Sequence, residues 1–113
     1  MLYSAKGKEI YKGNFQKDLY HGKGKVTNEN PGDLKEHFNY LDFSLLGDFW
    51  VVYEGDFYEG KRHGKGKLLL SNGEKFEGLF VRDDVSGKGR FYKGTGIVID
   101  GLWRENRFVK GNG

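Results

Sequence analysis

Two histidines occur in the same phrase, His21-Gly22-Lys23-Gly24 and His63-Gly64-Lys65-Gly66. Imidazoles in one slot of successive copies could approach each other and begin a zinc site. However, the phrase brings no further ligand of obvious type, and a third copy, Ser86-Gly87-Lys88-Gly89, replaces the imidazole with a hydroxyl. Hydrogen bonding in a turn is the other use for these rings. The Gly-Lys-Gly-Lys runs at 22–25 and 64–67 superficially resemble phosphate loops, but they lack the loop's spacing and the Ser/Thr after lysine that would bind magnesium. No Gly-x-Ser-x-Gly elbow is present, cysteine is absent, and the acids are scattered through charge-paired positions. No catalytic, cofactor-binding or metal-binding residue is assigned, no cofactor is expected, and the expected role is not enzymatic.

These phrases must be held by elements, and the elements repeat. Tyr53-Glu54-Gly55-Asp56-Phe57 returns as Phe76-Glu77-Gly78-Leu79-Phe80 and again as Ile99-Asp100-Gly101-Leu102-Trp103, while Tyr11, Gly13 and Phe15 form an earlier copy. The His/Ser-Gly-Lys-Gly phrase follows the first three copies at one spacing; the fourth ends out of register and looks like a truncated cap. Period-two alternation puts Tyr53, Gly55 and Phe57 on one face of a strand and Glu54 and Asp56 on the other. Asp18, Gly60, Asp83 and Asn106 fall where a tight turn needs a left-handed residue, and Asn72-Gly73 and Gly94-Thr95-Gly96 mark turns between copies. Each copy therefore reads as a β-hairpin, and the chain as a continuous antiparallel meander. A hairpin this short cannot bury its own rings, but a row of hairpins can bury each other's, with each glycine leaving room for a ring from the facing strand or from the neighbouring hairpin.

At 113 residues, with 36% hydrophobic residues, the chain is one modest all-β domain with a thin core. A net charge of +3 is far from the footprint of a dedicated nucleic-acid binder, and the rings are needed for packing, so no nucleic acid is expected as partner. Lys23, Lys25, Lys65, Lys67, Lys88 and Arg90 recur in register on the face opposite the rings. This is either a solvated surface partly neutralised by Glu54, Asp56 and Glu77 or a stripe attracted weakly to anionic lipid. No signal-peptide pattern or stretch of about 20 apolar residues is evident, and the expected location is cytoplasmic.

Taken together, the two linked phrases resemble the MORN (membrane occupation and recognition nexus) repeat: Tyr-x-Gly-x-Phe/Trp, a short turn, His-Gly-x-Gly, then Asp/Asn-Gly. Residues 53–73 match almost throughout and 11–24 match well. Residues 76–96 match with Phe76 for tyrosine and Ser86 for histidine, and 99–103 with Ile99 in the tyrosine slot. The resemblance implies an elongated, twisted, single-layer sheet of stacked hairpins across residues 1–113, with repeats starting near 11, 53, 76 and 99. It also implies an aromatic-lined groove able to hold a partner peptide or helix, with a homodimer or larger assembly permitted. Arrays of this kind occur in cytoskeletal, ciliary and membrane-junction scaffolds and as accessory segments of enzymes. A protein-interaction scaffold associated with cytoskeleton or cilium is the expected role. Tyr11, Phe15, Tyr53, Phe57, Phe76, Phe80 and Trp103 would serve chiefly as packing and secondarily as groove wall.

Residues 28–49 interrupt the repeat. Asn30-Pro31-Gly32 reads as a turn. Asp33 and Glu36 have the form of a capping box, Leu34, Phe38, Leu41 and Leu45 follow helical spacing, and Gly47 suits a stop. The pattern predicts a short amphipathic helix over 34–46, with His37 solvated upon it. The apolar stripe could fold over the rings of its own sheet or dock on another protein.

Overall fold

The computed structural model describes residues 2–3, 9–17 and 19–111, with backbone alone at 2–3, 9–10 and 15. Among them are nine strands: β1 (Leu2–Tyr3), β2 (Glu9–Gln16), β3 (Leu19–Asn28), β4 (Trp50–Tyr58), β5 (Lys61–Leu70), β6 (Lys75–Val81), β7 (Asp84–Tyr92), β8 (Val98–Arg104) and β9 (Arg107–Gly111). Each pairs antiparallel with the next in chain order, which gives one open sheet. Eight inter-strand steps of about 4.8 Å make about 38 Å, close to the longest extent of 41 Å in a molecule of 41 × 27 × 19 Å. The expected meander is therefore the observed fold.

A line of glycines crosses the sheet. Gly13, Gly24, Gly55, Gly66, Gly78, Gly89, Gly101 and Gly111 are register partners in turn from β2 to β9. On one face the rings lie across this line. A methyl group at Gly24 would strike the Tyr11 ring, one at Gly66 the Tyr53 ring, and one at Gly89 the Phe76 ring. The Tyr11 and Tyr53 hydroxyls reach past the glycine to donate to the Asn14 carbonyl at 2.6 Å and the Asp56 carbonyl at 2.9 Å. Burial pushes the Tyr53 hydroxyl well above its ordinary range and holds it neutral. In the last copy Ile99 offers no ring, and Phe108 of β9 covers Gly101 instead. This explains how the truncated fourth unit closes the series.

The His-Gly-Lys-Gly phrase has a second geometric demand. Between the pairs Gly55↔Gly66 and Phe57↔Arg62, β4 supplies Asp56 alone while β5 supplies His63, Gly64 and Lys65, and the other two hairpins repeat this bulge. The first glycine of each phrase absorbs it in left-handed backbone: Gly22 at φ 74°, Gly64 at 100° and Gly87 at 122°.

The hairpin turns have two left-handed residues each, Glu59-Gly60, Arg82-Asp83 and Glu105-Asn106, which makes them the mirror-image turns that match strand twist. The sequence pointed only to the second residue of each pair; Asp18 lies outside the described residues. Beyond tolerating this backbone, Asp83 and Asn106 fasten neighbouring hairpins. The Asp83 N–H donates to the Arg62 carbonyl at 2.9 Å while its carboxylate accepts from the Arg62 N–H at 2.8 Å. Asn106 makes the same reciprocal pair with Val85, at 2.8 and 2.7 Å.

The helix expected over 34–46 is not formed. Helical geometry is confined to one 3-10 turn, Phe43–Leu45, and Gly47 ends this stretch at φ 48°. The cap is Asp42, whose carboxylate accepts from the Ser44 N–H at 3.0 Å, and not Asp33. Tertiary partners take the backbone groups that an α-helix would need. Leu34 N–H donates to Ser71 Oγ, Phe38 N–H to Glu74, and the carbonyls of Tyr40 and Leu41 accept from Trp103 Nε1 and Phe108 N–H. A segment this short has little helical stability of its own to set against them.

Candidate functional site

The insert, residues 29–49, folds back over the ring face and becomes a second layer. Phe43 is buried with its ring 4.9 Å from Phe76 and 6.0 Å from both Phe91 and Trp103, and Phe38 lies 5.1 Å from Phe43. Near the start of β9 the insert runs as a fragment of a further strand, with Asp42 bridged to Arg107, Phe108 N–H donating to Leu41 O, and Phe43 N–H donating to Asn106 O. Of the expected docking face, Phe38 is buried and Leu34 packs partly against the core, while Leu41 and Leu45 are 50% and 56% exposed. The helical spacing assigned these two to the wrong side; Phe43 and Leu46 are the inward residues instead.

One carboxylate latches the insert. Glu74 is 1% exposed and accepts from the Phe38 N–H at 2.8 Å, the Gly94 N–H at 2.8 Å and the Asn72 amide at 2.7 Å, with the His37 ring 3.0 Å away. Burial alone would raise its pKa, but the donors from Gly94, Phe38, His37 and Asn72 outweigh that and hold it below the ordinary carboxylate value. His37, expected as a solvated helix residue, is exposed but lies on no helix, and its ring is a partner in this latch. Glu74 was missed in the sequence, although an acid in the slot that Val51 and Ile97 fill in neighbouring copies was the available signal.

Where the insert stops, the ring face opens into a cleft of about 450 Å³, in the range of ligand pockets. Tyr53, Phe57 and Leu68 form its floor, Phe43 and Leu46 one wall, and the turn residues Asp83, Asp84 and Asn106 an acidic and polar rim. Arg62 is fixed on that rim, with its guanidinium 5.3 Å from the Phe80 ring centroid, Nη2 donating to the Asp83 carbonyl at 2.9 Å and Nε 3.3 Å from the Asp83 carboxylate. The arrangement suits an apolar side chain entering beside a basic one.

Among the expected ring residues, Tyr11, Tyr53, Phe57, Phe76, Phe80 and Trp103 are all buried, and of these Tyr53 and Phe57 line the cleft; the side chain of Phe15 lies outside the described residues. His21 and His63 do not meet, since the Tyr58 ring sits near both, 5.2 and 5.9 Å away, and His63 Nδ1 accepts from the Arg82 N–H at 3.3 Å. On the outer face Lys23 pairs with Asp56 at 3.4 Å, Lys67 with Glu77 at 3.7 Å and Arg90 with Asp100 at 3.6 Å, while Lys25, Lys65 and Lys88 are exposed. Asp56 thus pairs across the seam between hairpins, and Arg90 turns from Glu77, its neighbour in β6, to Asp100 in β8.

Among models of protein families, the one described as MORN repeat matches residues 11–30 and 53–75. Residues beyond the second match continue the sheet with the same glycine-to-glycine register. None of the curated proteins compared with the chain matches it.

Proposed function

From the premise that the chain is a MORN repeat protein, and so a repeat-type protein–protein or membrane-interaction module, we propose that it serves as a non-catalytic scaffold. On this reading it grips another protein in the cleft left between its insert and its repeat turns, within a cytoskeletal or ciliary assembly in the cytoplasm. The observation that carries the reading is that cleft. The insert fills the ring face over Phe76, Phe91 and Trp103, but the floor of Tyr53, Phe57 and Leu68 opens on an acidic rim. The grip is a side chain inserted from a partner segment, with the insert as one jaw and the turns at Asp83 and Asn106 as the other. The cytoskeletal setting is supported by the resemblance to arrays that work there.

The test is crosslinking in native cells followed by mass spectrometry, comparing the natural chain with Ser44→Trp. Ser44 is an exposed residue at the mouth of the cleft, and its backbone N–H would still be capped by Asp42. Recurrent cytoskeletal neighbours that disappear with Ser44→Trp are expected. Neighbours that persist unchanged in the variant would remove the cleft from the explanation, and neighbours of another kind would remove the setting.

A further inference from the structure

On the outer face two rows of side chains flank the glycine line. In one, Lys12, Lys25, Glu54, Lys67, Glu77, Arg90 and Asp100 are register partners in turn, so from Lys25 onward cations and acids alternate and cancel in sum. The other row begins in the same style, with Lys23 paired to Asp56. The next two repeats put leucine in the slot of Asp56: Leu79 beside Lys65 and Leu102 between Lys88 and Lys110. Asp56 and Leu79 both lean over the left-handed glycine of the return strand, Gly64 and Gly87, so the slot accepts either side chain. As a result Lys65, Lys88 and Lys110 are exposed, with no acid within ion-pair distance among the described residues, and the half-buried leucines lie between them. A trough of about 850 Å³ runs between the two rows over Gly66, Gly78 and Gly89, with Lys65, Leu79 and Lys88 along one side and the ion-paired row of Glu54, Lys67, Glu77, Arg90 and Asp100 along the other; Leu102 and Lys110 continue the first side beyond its end.

The spacing and the twist select an occupant. Successive lysines of this row are two strands apart, about 9.6 Å at about 4.8 Å per strand. A polyproline II helix turns once in three residues of about 3.1 Å each, about 9.3 Å per turn, and presents every third side chain to one side. Adjacent strands of a twisted sheet rotate by about 20–25°, so Lys65 and Lys110, four strands apart, point about 80–100° away from each other. A planar bilayer meets only part of such a row, whereas a narrow chain can be laid across the strands.

We propose that this trough, together with the continuation of its lysine side over Leu102 to Lys110, binds an acidic segment of another protein in polyproline II conformation, with an acid at every third residue. The acids pair with Lys65, Lys88 and Lys110, and the residues between them rest on Leu79 and Leu102. Such a segment is extended before it binds, so little ordering entropy is lost. The surface lies opposite the ring-face cleft, and the proposal holds whatever occupies the cleft.

Fluorescence polarisation with a labelled peptide of four Glu-Pro-Pro triplets tests it, against a peptide of the same composition with the acids clustered at one end. The triplet peptide is expected to bind at least about tenfold more tightly than the clustered one, and to weaken with salt. Leu79→Asp with Leu102→Asp, which copies the Asp56 arrangement, is expected to abolish binding. Lys65→Gln with Lys88→Gln, two exposed changes, gives the same reading should the leucine variants fail to fold. Equal binding of both peptides, unchanged binding by the glutamine variant, or sedimentation with phosphatidylserine vesicles and no peptide binding would each overturn the proposal.

Discussion

Glu74 shows what a single side chain can decide in this sheet. Because its carboxyl ionises more readily in the folded chain than in the unfolded one, the stability it supplies is complete at neutral pH. It is lost as pH falls through the unfolded value of about 4.3 towards the lower folded one. Urea midpoints should therefore fall below about pH 5. Glu74→Gln should flatten that acid limb while costing, at neutral pH, about 1–3 kcal/mol for each buried donor left without an acceptor. The glycine line makes a second claim at this scale. Gly66→Ala pushes a methyl into the Tyr53 ring and should cost about 1–3 kcal/mol. The cost should shrink when Tyr53 is leucine, and a double-mutant cycle by denaturant unfolding measures the coupling. Additive costs would mean that the ring is not what excludes a side chain there.

At the scale of elements, the turns act as fasteners between hairpins. Asn106→Ala leaves the Val85 N–H without its side-chain acceptor and should cost about 1–3 kcal/mol, read as a shift in thermal midpoint. The strands, their order and the faces of Tyr53, Gly55 and Phe57 were legible in the sequence because they follow from local alternation repeated in register. The bulge behind Gly22, Gly64 and Gly87 was not, because alternation along one strand does not show how many residues the facing strand sets against it; nor were the reciprocal bonds of Asp83 and Asn106, because they depend on the neighbouring hairpin. The insert was misread for the same reason. Leu34, Phe38, Leu41 and Leu45 have helical spacing, yet Ser71, Glu74, Trp103 and Phe108 claim the nearby backbone groups, and no local pattern records where those partners will stand. The cleft needs the insert's position as well as the repeat, so only its floor, Tyr53 and Phe57, was foreseeable.

For the whole molecule, the insert separates a sheet with a covered ring face from one with a sticky one. Replacing residues 32–47 with a short turn should leave the strands intact by far-UV circular dichroism. It should also expose Phe76, Phe91 and Trp103, so that Trp103 emission moves to longer wavelength and sedimentation velocity shows self-association. A variant that stays monomeric with unchanged emission would show that the cover is dispensable.

Every seam from β2 to β9 is the same junction, glycine against glycine, whichever repeats it joins. Duplicating residues 53–75 therefore adds two strands without disturbing any neighbouring register, and lengthens the molecule by about 9.6 Å. The architecture is a ruler graduated in repeats: reach is set by how many units the gene encodes, and small-angle scattering of a duplicated chain would read off one graduation.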